Sequence, residues 1–559
     1  MLIEYIFEDK TEKLSPESQA DVVSQICANF ESWNSARQSQ LEDAKLIRES
    51  IYNCNKNSRN SWKSEIKLPE IYELAQTLKA HLWENIYNNP SAMFDVSGKT
   101  PEAQEYANKQ KAMLVNAFEE MDITPELDKA IDDLIEVGDC VLFIGWETRY
   151  KFIRRAKSLS EKVSDVINGS ASIKTKYVIE QKPVFDGVKV RAISPENFVF
   201  DASRKDDWDN CPKIYKTYST FEAIASNKTY TLSPEAYERL STMVTESKNK
   251  GYSGDEGVRN GQIEILEFWG DFKLDNGQVL KNWLITVAGR SEVIRFEANP
   301  YVINPFICTS LLQDPETKRG ISPLKIALVI NNISSDILNR QLDALSLITN
   351  PPYLAPKGCF NGKQEVSPGS IIEYDSALMT QLPTPLRFES ALQGWEFIDF
   401  FKQTLESSTG IFKNMVGTTE STKRTATEIT YTVGGQSTRL NMAVDNITQR
   451  LIIPMVERVA DLIANFKFGK ETIPLIERGK ANYIEIDDAI RQADYKYTYG
   501  DRRASQERKL RFRELFDVIS SFAKIESVAQ QVDWLKCFKY ALEQYGIENP
   551  DSFLKEINH

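Results

Sequence analysis

The sequence predicts an α+β protein, mainly α. Three observations carry this: long stretches with apolar residues at helical spacing, a middle region where the spacing turns to period two, and a proline- and glycine-rich insert between two helical rods. At 559 residues the chain exceeds one ordinary hydrophobic core, so it packs as several units or completes its burial by oligomerising. Apolar residues at 41% and aromatics at 10% belong to a folded chain, and no apolar run of about 18 residues that could cross a bilayer is present. The start, Met1 to Lys10, is acidic without a basic leader, so synthesis in the cytosol without a signal peptide is expected.

Residues 15–60 read as a helical arm, with Val22, Ile26, Phe30 and Trp33, then Leu41, Ala44, Ile47 and Ile51, on one side of it. Such an arm needs a partner surface. A second helix follows Pro69, with Ile71, Leu74, Leu78, Leu82 and Ile86 on one face, and stops before Asn88-Asn89-Pro90. Residues 102–137 are helical again, with Thr124 as N-cap, Pro125 at the first helical position and Gly138 closing the segment. Cys140 to Trp146 is a short apolar strand. Period two then predicts a hairpin of Tyr177–Phe185 and Val188–Ile193 turning at Asp186-Gly187, and a second of Ile263–Lys273 and Gln278–Val287 turning at Asp275-Asn276-Gly277. The polar interval 226–262 between them reads as a surface excursion.

Ser322 and Pro323 open the next helix as N-cap and first helical residue, with Ile326, Val329, Ile333, Ile337, Gln341, Ala344 and Ile348 on one face up to Asn350-Pro351-Pro352. That is a rod of roughly 40 Å. Residues 351–390 form a small β-containing unit, and a helix from Leu392 to Ser408 returns the chain with Trp395, Ile398, Phe401 and Leu405 on its apolar face. Thr409-Gly410 ends it. After a polar loop a third rod starts at Thr425-Ala-Thr-Glu428 and runs to Phe466, kinked at Gly434-Gly435 and Pro454. Tyr483–Ile486 and Tyr495–Tyr499 are strand-like, and the C-terminal residues are helical. Rods bracketing a small insert suggest side-by-side packing with copies of the same chain.

The residue types needed for catalysis are scarce. The seven cysteines stand singly, which suits neither a disulfide framework nor a zinc site and fits buried apolar residues, and the only histidines are His81 and His559. Gly358-Cys-Phe-Asn-Gly362-Lys363 has three residues between its glycines, not four, and Gln364 where a P-loop needs Ser or Thr, so it is not read as a phosphate loop. Asp206-Asp207 and Asp487-Asp488 are read as solvated turns, not ion sites. No catalytic residue, metal ligand or cofactor is therefore expected. The net charge of −12 disfavours broad adhesion to DNA, which depends on Lys and Arg neutralising phosphates.

Three features, Ile193-Ser-Pro-Glu-Asn-Phe-Val-Phe-Asp201, Gly320-Ile-Ser-Pro-Leu324, and Thr409-Gly410 followed by Gly417 and Thr425-Ala-Thr-Glu428, occur in an order and spacing that resembles the portal, or head-to-tail connector, proteins of tailed bacteriophages of the short-tailed type. The resemblance implies a portal fold with wing, stem helices, a small β-containing clip, a long kinked tunnel helix and a helical crown. Carried over by position, residues 1–320 are an N-terminal arm and wing, 321–350 and 391–410 the stem helices, and 351–390 the clip. Residues 411–424 are the tunnel loop, 425–500 the long kinked helix and wing return, and 501–559 the crown. It also implies a structural subunit, not an enzyme: a homo-oligomeric ring, a dodecamer, at the portal vertex of the virion, assembled in the host cytoplasm. Double-stranded DNA passes through its channel in packaging and ejection. Terminase, a tail adaptor, and the major capsid or scaffold protein are its partners, and no membrane is involved. The alternative is another head-tail adaptor or scaffold-like ring protein without enzymatic activity, which would lack the long kinked helix after the loop.

Lys413, Lys423 and Arg424, with Glu420 the one acid beside them, are the DNA-facing candidates of the tunnel loop on this resemblance, although a short basic loop is by itself only a solvated loop. Arg502, Arg503, Arg508, Lys509 and Arg511, with Arg513, are a second possible contact at the crown. Pairing with Glu507 and Glu514 is an equal competitor there. Arg149, Lys151, Arg154, Arg155 and Lys157, interleaved with Tyr150 and Phe152, are read as a solvated wing strand, because alternation sends them to both faces.

Overall fold

The computed structural model describes residues 16–52, 63–86, 93–156, 177–250, 257–274, 277–301, 303–356, 367–374, 384–386, 395–410, 438–477 and 480–499. Helices and strands are mixed, and the chain divides into two compact units, Met1–Trp83 with Met121–Ile463 and Glu84–Glu120 with Ala464–His559.

In the first unit the arm is two helices, α1 (Pro16–Ser35) and α2 (Gln38–Tyr52), and the polar stretch between Trp33 and Leu41 holds the break between them. Its partner surface is a sheet of the same unit: Val22, Ile26 and Phe30 bury against Ile214, Leu266, Phe268, Ile285 and Val287. Helix α3 (Glu70–Ile86) buries Ile71, Leu74, Leu78, Leu82 and Ile86, the face its spacing predicts. In α4 (Thr124–Glu136) the cap is Ile123 and not Thr124, since the Ile123 carbonyl already accepts from the Glu126 and Leu127 N–H groups. Gly138 ends that segment at φ +97°, a conformation glycine adopts without a Cβ clash.

Strands β1 (Asp139–Ala156) and β2 (Tyr177–Ile193) pair antiparallel from Val141 to Ala156, with one bulge between Arg149 and Tyr150. The turn expected at Asp186-Gly187 is therefore absent: both residues lie inside β2, opposite Thr148 and Glu147. The Asp186 carboxylate accepts from Trp146 Nε1 and Thr148 Oγ1, each at 2.8 Å, which commits the segment to its neighbour strand instead of to itself. Likewise β1 continues past Trp146, where the apolar run ends.

A second sheet runs β3 (Phe198–Phe200), β4 (Lys213–Ser219), β5 (Gln262–Lys273), β6 (Val279–Ala288), β7 (Glu292–Ala298), antiparallel throughout. The β5–β6 hairpin is the predicted one, with Gly277 at φ +85°. The interval 226–262 is more than an excursion, because it contains α5 (Pro234–Lys250), whose Leu240 and Val244 bury against Ile263, Ile265 and Ala288 and whose Ala236 is buried as well. Three apolar residues four apart are enough to seat a helix that is otherwise polar. Strand β8 (Phe306–Ser310) then pairs with the start of β1.

The long helix α6 (Leu324–Thr349) leads into β9 (Tyr353–Pro356), which pairs parallel with β10 (Ile371–Tyr374) and antiparallel with β11 (Thr384–Pro385), the small β unit expected there. Helix α7 (Trp395–Thr409) returns and packs beside α6, and Gly410 at φ +74° closes it with its N–H on Glu406 O. Of the third rod, α8 (Thr438–Ile447), a π-helical turn (Thr448–Ile452) and α9 (Ile453–Phe466) are described. Pro454 has no N–H for the carbonyl four residues back, so the helix widens just before it. Gly434-Gly435 lies outside the described residues.

In the second unit Phe94–Gly98 pairs antiparallel with Tyr495–Tyr499, and Glu471–Glu477 forms a hairpin with Lys480–Ile486. Gln110, on helix Pro101–Met121, donates to the Tyr497 hydroxyl at 3.2 Å.

Candidate functional site

The chain enters α6 through Gly320-Ile-Ser-Pro-Leu324, and this root is bonded to the end of α4. The Gly320 N–H donates to Asp139 Oδ1 at 2.8 Å, and Gln40 Nε2 of α2 donates to the Gly320 carbonyl at 2.8 Å and to Asp139 Oδ2 at 2.9 Å. Ser322 Oγ donates to Ile135 O at 2.6 Å and accepts from the Leu324 N–H at 3.1 Å. Ser322 thus does the capping, while Pro323 occupies the N-cap position one residue later than expected. The approach depends on two glycines: a Cβ on Gly320 would lie 2.2 Å from Gly138 O, and one on Gly138 would lie 2.5 Å from Ile321 C.

Above its root α6 has two unlike sides. Its buried residues are Leu324, Ala327, Leu328, Asn331, Ser334 and Ser335, and the polar side continues as a clasp for residues 63–68. The N–H groups of Ser64, Ile66 and Leu68 donate to Asp343 Oδ1, Asn339 Oδ1 and Ser335 Oγ at 2.6, 2.8 and 3.1 Å. Four helical residues rise about 6 Å and two extended residues about 6.6 Å, so side chains four apart on the helix meet alternate amides of the strap. The opposite side is the apolar face the spacing predicts, and it is open: Ile326 is 60%, Val329 58% and Ile333 42% exposed. On α7, Ile398 and Leu405 are buried while Phe397 and Phe400 are exposed, and Lys402 pairs with Glu70 of α3 at 3.0 Å.

Charged groups hold the arm and the Ile193–Asp201 segment. Arg37, between α1 and α2, donates to the carbonyls of Pro195, Phe198 and, at 2.6 Å, Glu196; burial pushes it down to about 10. Arg48 of α2 meets Glu136 at 2.6 Å, Asp133 at 3.4 Å and Glu196, and the Tyr52 hydroxyl donates to Glu136 at 2.8 Å. Burial raises the Asp133 carboxyl to about 7 against the pull of Arg48. Lys213 donates to Cys211 O at 2.7 Å and lies 4.4 Å from the Trp208 ring, and burial lowers it to about 8. Burial pushes the Cys211 thiol up to about 11 and that of Cys140 upward as well, which makes them inert packing groups.

The tunnel-loop candidates Lys413, Lys423 and Arg424 and the crown candidates Arg502, Arg503, Arg508, Lys509 and Arg511 lie outside the described residues, as does residue segment 358–363. Arg149, Lys151, Arg154 and Arg155 sit on an exposed two-stranded ribbon of β1 and β2. Asp206 faces Lys318 at 3.4 Å and Asp487 caps the helix Asp488–Gln492. Among the described residues no His, Cys, Asp and Glu group is arranged to hold a metal ion. The clasp of Ser335, Asn339 and Asp343 was missed by sequence reasoning, although polar residues at four-residue spacing on an otherwise apolar rod are its signal.

What this arrangement presents is surface, an apolar stripe on a helix whose other side is already taken. No curated protein matches the chain. The family model of the phage SU10 portal protein matches residues 24–559, nearly the whole length, and the chain belongs to that family of phage portal proteins.

Proposed function

We propose that this chain is the subunit of a dodecameric ring at one capsid vertex, a channel through which DNA is packaged and later ejected. Family membership makes it a structural, non-enzymatic portal protein of the virion. The single observation that supports the finer reading is the open stripe of Ile326, Val329 and Ile333. Burying a side chain of this size gains about 1.5–3 kcal/mol, so three on each subunit, repeated around a ring, favour lateral association of the α6 and α7 pairs. In this reading the β9–β11 unit is the clip that docks terminase and then the tail adaptor. The loop 411–424 offers Lys413, Lys423 and Arg424 to the passing phosphates, the crown offers Arg502, Arg503, Arg508, Lys509 and Arg511, and the major capsid or scaffold protein meets the ring from outside. An overall charge of −12 suits a bore that must release every phosphate it touches.

Mass photometry and negative-stain imaging of the purified chain, with an ATPase assay in parallel, test this. A dodecamer of 63.8 kDa subunits is a ring of about 770 kDa with a central hole and no hydrolysis. Monomers that hydrolyse ATP would overturn it.

A further inference from the structure

Among the described residues, the first sheet thins to two strands beyond Ile144. Strand β8 covers the free edge of β1 only over Asp139–Phe143, with one more bond from the Ile144 N–H to Pro305 O at 2.8 Å. Among the described residues, β1 pairs with β2 alone from Glu147 to Ala156, a ribbon about 33 Å long. From Thr148 onward β1 is exposed on both faces. A lone two-stranded ribbon is marginal in water and leaves edge N–H and C=O groups unpaired, and this one also exposes large apolar groups. Phe152 is 71% exposed, and Tyr150 and Val184 are more than half exposed.

The register sorts its residues by face. Tyr150 stands opposite Pro183 and Phe152 opposite Gln181, which gives an aromatic face that ends in Arg154. The other face carries Lys151 opposite Lys182, and the Arg155–Glu180 ion pair at 2.9 Å. The ribbon's acids are engaged: Glu147 with Arg191 at 2.8 Å, Glu180 with Arg155, and Asp186 with Trp146 and Thr148. Among the described residues Lys151, Arg154 and Lys182 have no ion-pair partner, on a chain whose net charge is −12.

We propose that this ribbon is an arm that lies across the neighbouring copy of the chain, with the Tyr150–Phe152 face against protein and Arg154, at the end of that same face, toward that copy's acidic side chains. The inference rests on the ring reading above and adds a second contact, separate from the α6 stripe. Charge complementarity selects the occupant, since a second copy carries a net charge of −12 to set against Arg154. Duplex DNA fits less well: it is held through phosphates and offers no unstacked bases to aromatic rings.

The test replaces Phe152 by the photoreactive benzoylphenylalanine in the full chain and irradiates assembled particles with and without packaged DNA. A covalent chain-to-chain adduct is expected. In parallel, the double variant Tyr150→Ser, Phe152→Ser is expected to melt as a monomer like the parent and to dissociate from rings at least ten-fold more readily. If the parent chain makes no rings, the ring reading and the arm fall together. Rings that form without an adduct and are unaffected by the double variant overturn the arm alone. An adduct with DNA and none between chains also overturns it.

Discussion

Asn339 pairs with the main chain of Ile66 as a residue of an adjacent strand would, its Oδ1 accepting the Ile66 N–H at 2.8 Å and its Nδ2 donating to the Ile66 carbonyl at 2.9 Å. A helix side chain here completes the hydrogen bonding of an extended segment. The strap 63–68 thereby uses the polar side of α6 and leaves the apolar side for other contacts. Substituting Asn339→Leu removes both bonds and is expected to cost about 1–2 kcal/mol, with Asn339→Asp losing only the donor and about half as much. Hydrogen exchange followed by mass spectrometry checks this, with amides 64–68 losing at least ten-fold protection in the Leu variant.

Where α6 meets the end of α4, Gly320→Ala sets a Cβ 2.2 Å from a backbone oxygen and Gly138→Ala strains a φ of +97° as well. Neither obstacle is a flexible side chain, so the root must shift. Each variant is expected to lose about 3 kcal/mol or more in denaturant unfolding, while Gly277→Ala, where a Cβ meets nothing within 4 Å, keeps the space and pays only for its φ of +85°.

Asp133 is an acid whose folded value, about 7, lies above its ordinary 3.8 because it is buried. The folded state therefore holds the proton more tightly than the unfolded state does. Its contribution to stability is full below 3.8, falls as pH rises toward 7, and is flat beyond. Asp133→Asn keeps the neutral shape and removes that slope. Compared with the parent, its relative stability is expected to rise between pH 4 and 7 by on the order of 2–4 kcal/mol, read as a difference of unfolding midpoints across the range.

Arg37 reaches three carbonyls of the Pro195–Phe198 turn, which a single ammonium cannot span. Arg37→Lys is expected to destabilise the chain by about 2 kcal/mol in thermal unfolding, with most of the loss kept in Arg37→Met.

Val329 and Ile333 touch solvent in the single subunit, so Val329→Glu with Ile333→Glu is expected to leave monomer unfolding within about 0.5 kcal/mol. Particle mass distributions are expected to show the ring population falling at least ten-fold. A fall in monomer stability instead would mean the stripe is used within the chain.

Much of the fold was legible in the sequence because it is written in local periodicity. The faces of α3 and α6, the stop at Gly410 and the β5–β6 hairpin all follow from spacing or from one residue's backbone limits, and at Pro454, where a kink is expected, the irregularity takes the form of a π-helical turn. The misreadings share a cause. Asp186-Gly187 has turn chemistry, and only the facing Trp146 and Thr148 keep it inside a strand. Helix α5 hides in a polar interval because three residues suffice to anchor it once a sheet is present.

Periodicity was thus enough to place the rods, and three short motifs in order were enough to carry the portal resemblance, since each is a property of the chain read along its length. Which side of α6 is covered was a tertiary decision. The strap and the root residues Gln40, Asp139 and Ser322 come from segments far apart in sequence, and their hydrogen bonds take the polar side of the rod. The apolar side is left as surface because the strap is held by Ser335, Asn339 and Asp343, which lie away from Ile326, Val329 and Ile333 on the helix.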